Sequence, residues 1–559
     1  MADNYKRKRA SKAKSRSGCI TCKIRRVKCD EAKPNCLRCQ KSGQECDGYI
    51  DFTKKKIKKI VDVTLLPKPS SGYTQSPEIR LCWQLPMTIH PSHTLRYCSE
   101  AEYRYFNIFQ QRTAAELSGH LDSDVWSGWI LRVCHEEDFA RHAVVAIGAL
   151  SAAVEVIHCG HNTSSCDRLE LGAPHHKFAL QQYGQALQLM QALPQPRLSL
   201  PRVSLLSCLL TTCFEIYIGD KDNALVQAQA GLDILLHHDK LGRSGITNDL
   251  CSVLSQLSDE ESDILSTFAR LEALVKLFGG YRQTGHSPLR DEDSAAFTKL
   301  PECFRTVRDA RLCWDLSSRR VWQWRETHLQ GSSISTFDFG ESEVTQTLRK
   351  EDALAYRVRT ELGLFLQARE KWLQAFQGLF ERTRHHPGSK DFLGANTMMI
   401  EYLSTKLTVL LSGQNHETYC DDFLQDHIEI IRLARDLFEM SPRCHEKAIF
   451  AFDGSNVSAL FIVATRCRDS VVRREAIDLL RKYPRREGLW DSSMAVRVST
   501  WFMNMEESGM VDGYVPEPSR LRIVKTDLNL SARSVTVCCS KMMEGGTERV
   551  ELEDVILTW

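Results

Sequence analysis

The chain has 559 residues, 73 Lys/Arg against 71 Asp/Glu, 42% hydrophobic residues and 21 cysteines. That length requires a large globular body beside any small module. An odd cysteine count and a charged rather than apolar stretch after Met1 argue against a secreted disulfide framework. The longest apolar stretch, Ala143–Ile157, is read as a buried core helix too short to span a bilayer, so no membrane partner is expected.

Charge is unevenly spread. Residues 1–60 hold 19 Lys/Arg against 6 Asp/Glu, and the rest holds 54 against 65. A basic arm on an acidic body is an electrostatic footprint for polyphosphate, with salt-sensitive binding. Residues 1–16 read as a disordered arm. Within it Lys6, Arg7, Lys8 and Arg9 have the composition of a nuclear localisation signal.

Six cysteines follow, Cys19, Cys22, Cys29, Cys36, Cys39 and Cys46, spaced C-x2-C-x6-C-x6-C-x2-C-x6-C. The second three repeat the first three with an offset of 17. A C-x2-C pair lets two thiolates from one turn reach the same metal, and zinc takes four tetrahedral ligands. Two zincs need eight ligand bonds, which six thiolates supply only if two of them bridge. A ribbon on Cys19, Cys22, Cys36 and Cys39 would leave Cys29 and Cys46 idle. The larger apolar side chains between the ligands are only Ile20, Ile24, Val27 and Leu37. So little cannot fold a segment of about 30 residues. Bound metal must supply the folding energy, roughly 10–16 kcal/mol for structural zinc. With every ligand position filled by protein, the zinc is structural.

Ser17–Tyr49 resembles the fungal zinc binuclear cluster (Zn2Cys6) transcription factors, and the match covers every cysteine spacing. The resemblance implies two structural zincs, with Cys19 and Cys36 bridging. One zinc would take Cys19, Cys22, Cys29 and Cys36, the other Cys19, Cys36, Cys39 and Cys46. Pro34 sits where the family commonly has a loop proline. The resemblance also implies that the first half's short helix docks in the major groove of double-stranded DNA, often over a CGG triplet. The first half carries KIRRVK between its cysteines and the second QKSGQE, so only the first offers an arginine pair to a guanine edge. By family position Arg26 is the base reader, with Lys23, Arg25 and Lys28 on base or phosphate. Lys33 and Lys41 read as phosphate contacts.

Residues 50–98 read as a linker, basic at Lys54–Lys59 and then punctuated by Pro67, Pro69 and Pro77. Ile50, Ile57 and Ile60 have heptad-like spacing, but Thr53, Thr64 and Pro67 interrupt it, so no coiled coil is expected. Residues 99–559 read as a large all-helical regulatory domain, making the chain mostly α overall. Ser99 with Glu102, and Ser258 with Glu261, form capping boxes, the second leading to a helix that ends near Gly279 or Gly280. Helical periodicity covers Glu136–Ile157, His175–Leu193, Pro201–Ile218, Asn223–His237, Leu348–Arg384, Asp391–Leu411, Asp421–Met440, Asn456–Arg468, Val471–Tyr483 and Asp491–Glu507. Strand-like alternation is confined mainly to Ser534–Cys538 and Val550–Leu557. The acidic, apolar tail Glu548–Trp559 could recruit coactivators, but its alternation favours a packed strand. The body also has the look of the family's helical regulatory region.

Catalytic signatures are lacking: there is no phosphate loop, dinucleotide fingerprint, H-E-x-x-H or nucleophile elbow, so no enzymatic activity is expected. The doublets His175–His176, His237–His238 and His385–His386 point apart on a helix and read as surface or capping residues. His158, His161 and Cys166 lack an obvious fourth ligand. The tryptophans, including Trp126, Trp129, Trp322 and Trp324, read as core anchors. The expected function is sequence-specific regulation of RNA polymerase II genes in the nucleus. Possible partners are a second copy bound through the helical body, coactivators and corepressors. The other class is a helical scaffold or enzyme that merely carries a zinc module.

Overall fold

The computed structural model describes residues 19, 21–22, 25, 27–43, 46, 99–121, 124–159, 165–194, 201–242, 259–278, 300–328, 352–411, 416–441, 449–452, 454–543, 545 and 548–559. The basic arm, the heptad-like linker residues and Ser258, Gly279 and Gly280 lie outside them. The chain divides into two units, Met1–Pro77 and Glu78–Trp559. In the first, α1 spans Leu37–Lys41.

The second unit opens with α2 (Glu100–Ile108), where Ser99 Oγ accepts the Glu102 N–H at 3.2 Å, as an N-cap should. A π-helical turn (Phe109–Thr113) leads into α3 (Ala114–Leu117). A second π-helical turn (Val125–Trp129) leads into α4 (Ile130–Val133). The centre is α5 (Asp138–Cys159), buried without a break from Phe139 to Ala153. It packs against α2, α6 (Ser165–Gln191) and α7 (Pro201–Ile218). Gly148 of α5 makes this close approach possible: a Cβ there would collide with the Tyr105 carbonyl oxygen of α2. Residues Asp138–Val156 are in fact long and apolar enough to cross a membrane, contrary to expectation, because the helix begins five residues before Ala143. Their surroundings are protein, since 83% of the apolar window is buried in the fold.

Further helices follow: α8 (Lys221–Gly242), α9 (Asp259–Phe278), α10 (Val307–His328), α11 (Asp352–Arg384), α12 (Lys390–Leu411) and α13 (Leu424–Met440). Then come α14 (Asn456–Arg466), α15 (Ser470–Lys482) and α16 (Ser492–Glu507). Pro201–Ile218 has the expected bounds, and most others differ from expectation by a few residues. Helix α6 begins ten residues before His175 and carries Pro174 inside it. Among the helical pieces, α10 and the stretch from Val125 to Val133 go beyond the expected ones. Trp314 of α10 and Trp372 of α11 pack with ring centres 4.9 Å apart, and the Trp372 indole N–H donates to the Ala310 carbonyl at 2.9 Å. Trp126 and Trp129 are core residues, as expected; the side chains of Trp322 and Trp324 lie outside the described ones.

The body is mostly rather than wholly helical, which corrects the all-helical expectation. A small sheet pairs β1 (Ile449–Ala451) parallel with β2 (Arg485–Glu487), and β2 antiparallel with β3 (Trp490–Asp491). A larger antiparallel sheet is built on β5 (Ser534–Met542). On one side lies β4 (Leu521–Asn529); on the other, β6 (Arg549–Glu551) and β7 (Val555–Thr558) share the edge. The tail is therefore packed strand, with Leu557 buried opposite Val535.

Buried ion pairs fasten this sheet to the helices. Glu506 of α16 accepts the Leu521 N–H at 2.8 Å and pairs with Arg468 at 2.8 Å and with Arg473. Glu417 pairs with Arg466 at 2.5 Å, Arg468 at 3.1 Å and Arg522 at 2.8 Å. The Arg520 guanidinium grips Asp421 with two bonds of 2.8 and 2.7 Å.

Candidate metal centre and nucleic-acid interface

Among the described residues, the cysteine knob has almost no core except its sulfurs. Cys19, Cys22, Cys29, Cys36 and Cys39 are buried, and the partly buried residues packed on them are Val27 and Cys46. The doubled sequence folds as a doubled structure. Cys29 Sγ accepts the Cys19 N–H at 3.4 Å, and Cys46 Sγ accepts the Cys36 N–H at 3.4 Å. Cys19 Sγ accepts the Cys22 N–H at 3.4 Å, and Cys36 Sγ accepts the Cys39 N–H at 3.3 Å. Both of these sulfur bonds in the first half recur in the second 17 residues on.

These residues fit zinc. Sγ–Sγ distances are 3.6 Å for Cys19–Cys36, 3.6 Å for Cys22–Cys36, 3.7 Å for Cys22–Cys39 and 3.9 Å for Cys19–Cys39. Sulfurs at about 2.3 Å from one tetrahedral zinc lie about 3.8 Å from each other. Burial pushes the Cys19, Cys22 and Cys39 thiols up, Cys39 to about 12. Such sulfurs keep their protons unless a cation supplies opposing charge, which bound zinc does. The two C-x2-C pairs thus stand together as one four-sulfur group. Cys29 forms a second group with Asp30 and Cys36. Cys46 turns to the same centre through the Cys36 N–H.

Asp30, which sequence reasoning passed over, links the halves. Its carboxylate accepts the N–H groups of Ala32 at 3.1 Å, Leu37 at 3.2 Å and Arg38 at 2.7 Å, capping the start of α1. The Ala32 bond leads the interactions holding its carboxyl below the usual range. An acid beside Cys29 in a basic stretch was the available signal. Arg25, Lys28, Lys33, Arg38 and Lys41 are all exposed. Arg25 Nη1 donates to Ser42 Oγ at 2.8 Å. Lys23, Arg26 and the run Lys6–Arg9 lie outside the described residues.

The histidine doublets gather no metal-ligand group among the described residues. His175 Nδ1 lies 2.8 Å from the Tyr105 hydroxyl, and His176, His385 and His386 are exposed. The side chains of His158, His161, Cys166, His237 and His238 lie outside the described ones.

Residues 17–56 match the family model described as the fungal Zn(2)-Cys(6) binuclear cluster domain. The chain thus carries the cluster domain of the fungal Zn(2)-Cys(6) transcription regulators and is similar to them. Residues 104–297 match a second model, the fungal specific transcription factor domain. Its relatives include the aspercryptin biosynthesis cluster-specific transcription regulator atnN of Emericella nidulans, 24% identical over 88% of each chain. The Zn(2)-C6 fungal-type transcription factor afumD of Aspergillus fumigatus is 30% identical over 32% of this chain and 45% of its own. White-opaque regulator 2 of Candida albicans is 41% identical over 66 residues, 12% of this chain and 15% of its own. No solved structure matches the chain. The cluster domain implies zinc and DNA as ligands.

Proposed function

We propose that this protein is a nuclear, sequence-specific regulator of RNA polymerase II genes that reads a CGG-like triplet in the major groove. The observation that carries this reading is the sulfur-built knob at Cys19–Cys46, whose first half carries the basic run KIRRVK. Two zincs held by the six cysteines stiffen the knob, and catalysis plays no part. Arg26 reads a guanine edge, with Lys23 and Lys28 on base or phosphate. Lys33 and Lys41, both exposed, contact phosphate and fix register. Residues 1–16 form the arm, with Lys6–Arg9 as nuclear address; 17–49 form the cluster, 50–98 the linker and 99–559 the regulatory body. The body pairs two copies and recruits coregulators.

Selection of bound fragments from random duplex DNA by the zinc-loaded full-length protein tests the reading. Enrichment of a G-rich triplet is expected. Recovery of fragments without a shared motif, at an affinity set by salt alone, would support the scaffold reading.

A further inference from the structure

We propose that Arg25 and Ser42 form a clamp closing the two halves of the cysteine knob, and that Arg25 acts on DNA through this bond instead of by touching phosphate or base. The inference rests on the reading of the knob as a DNA-binding module.

The halves are related by an offset of 17, so residues 25 and 42 are equivalent positions. Equivalent residues that touch across a pseudo-twofold must lie near its axis. Cys19 and Cys36 do so at 3.6 Å, and Cys22 and Cys39 at 3.7 Å. Arg25 and Ser42 are a third such pair at 2.8 Å. The clamp therefore sits on the axis along which the metal-binding sulfurs meet, where a bond best opposes the halves splaying apart.

A guanidinium only donates, and a serine hydroxyl has one hydrogen. That hydrogen goes to the Cys39 carbonyl at 3.0 Å, leaving the Ser42 oxygen to accept from Arg25. The chain Arg25 to Ser42 to Cys39 runs one way and polarises along its length. It ties the turn between Cys22 and Cys29, where the Arg25 N–H bonds the Thr21 carbonyl at 3.1 Å, to the backbone of a buried cysteine in the other half.

The test uses zinc-loaded full-length protein with Arg25→Ala, Ser42→Ala, the double variant and Ser42→Thr. Binding to the selected site is titrated across salt concentrations. Zinc transfer to a chelator is timed without DNA. Each alanine variant should weaken specific binding about three- to tenfold, the range of one hydrogen bond. Each should also speed zinc transfer to a similar extent. The double variant should be no worse than either single one, and Ser42→Thr, which keeps the hydroxyl, should behave as wild type. The salt slope should stay unchanged throughout. If Arg25→Ala lowers that slope by about one while Ser42→Ala is silent, Arg25 is a phosphate contact and the clamp is wrong. If the wild type selects no DNA motif, the DNA-binding reading fails, and the DNA-free zinc measurement alone still decides whether the clamp exists.

Discussion

The sulfur atoms of Cys19 and Cys36 stand 3.6 Å apart across seventeen residues of chain. Two thiolates so close repel unless positive charge lies between or beside them, so metal content should govern whether the knob folds. We expect about two zincs per chain, following the four-ligand rule with two shared sulfurs. Metal analysis of purified protein, with and without Cys29→Ser and Cys46→Ser, checks this. A ratio of one, with Cys29 and Cys46 open to alkylation, would indicate a single ion among the four close sulfurs.

Arg26→Ala should cost roughly 1–3 kcal/mol on a matched site and relax the preference for a G-rich triplet. Lys41→Ala should weaken binding to all duplexes alike and lower the salt slope by about one. Titrations on matched and scrambled duplexes separate the two. Equal loss of specific and non-specific affinity in Arg26→Ala would make that arginine a phosphate clamp.

Glu417 should be among the costliest single losses in the body. Burial alone would raise its carboxyl, but Arg466, Arg468 and Arg522 overrule that and hold it well below the ordinary range. Glu417→Ala leaves buried guanidinium charge uncompensated, a loss on the order of 3–5 kcal/mol. Its folded-state value is depressed, so its stabilisation is present above the unfolded carboxyl range, about pH 4.3, and is lost as pH falls toward the folded value. Urea titrations of wild type and Glu417→Ala at neutral pH and near pH 3 check both points: the gap should narrow in acid.

His427 has the opposite chemistry but the same acid sensitivity. It is fully buried on α13, and neither ring nitrogen has a hydrogen-bond partner among the described residues. Burial, helped by the charge of Arg468 and opposed by Asp426 and Asp421, lowers its value to about 4. The unfolded chain takes up a proton near pH 6.5 and the folded one only near 4, so stability falls as pH drops between them. His427→Leu should flatten that part of the stability profile. A slope unchanged by the substitution would mean that the acid loss arises elsewhere.

The metal knob was legible because its information is local: ligand spacing, an internal offset and a charge run all lie within thirty residues. Asp30 was not, since its partners Leu37 and Arg38 become neighbours only after the loop folds back. Helix α10 was missed because Val307–His328 is dense in charge, and some of it is satisfied far away in sequence, as when Arg270 meets Asp315 at 2.8 Å. Strand β4 was missed for a similar reason. Leu521, Arg522 and Ile523 are all buried, so no alternation marks its start, and the Arg522 charge is met by Glu417 2.8 Å away. Glu417 and Arg522 are 105 residues apart, a pairing no local pattern announces.

The position of β7 bears on how deletion series of this protein are to be read. Removing Val555–Thr558 strips half of one edge of β5, from Ser534 to Val537, and unroofs Val535. A shortened chain that no longer stimulates a reporter would conventionally have an activation segment assigned to its missing end. Here the same silence would follow from a broken sheet and a poorly folded product. Point changes at Ile556, which is 70% exposed, make the cleaner genetic probe of recruitment by that tail.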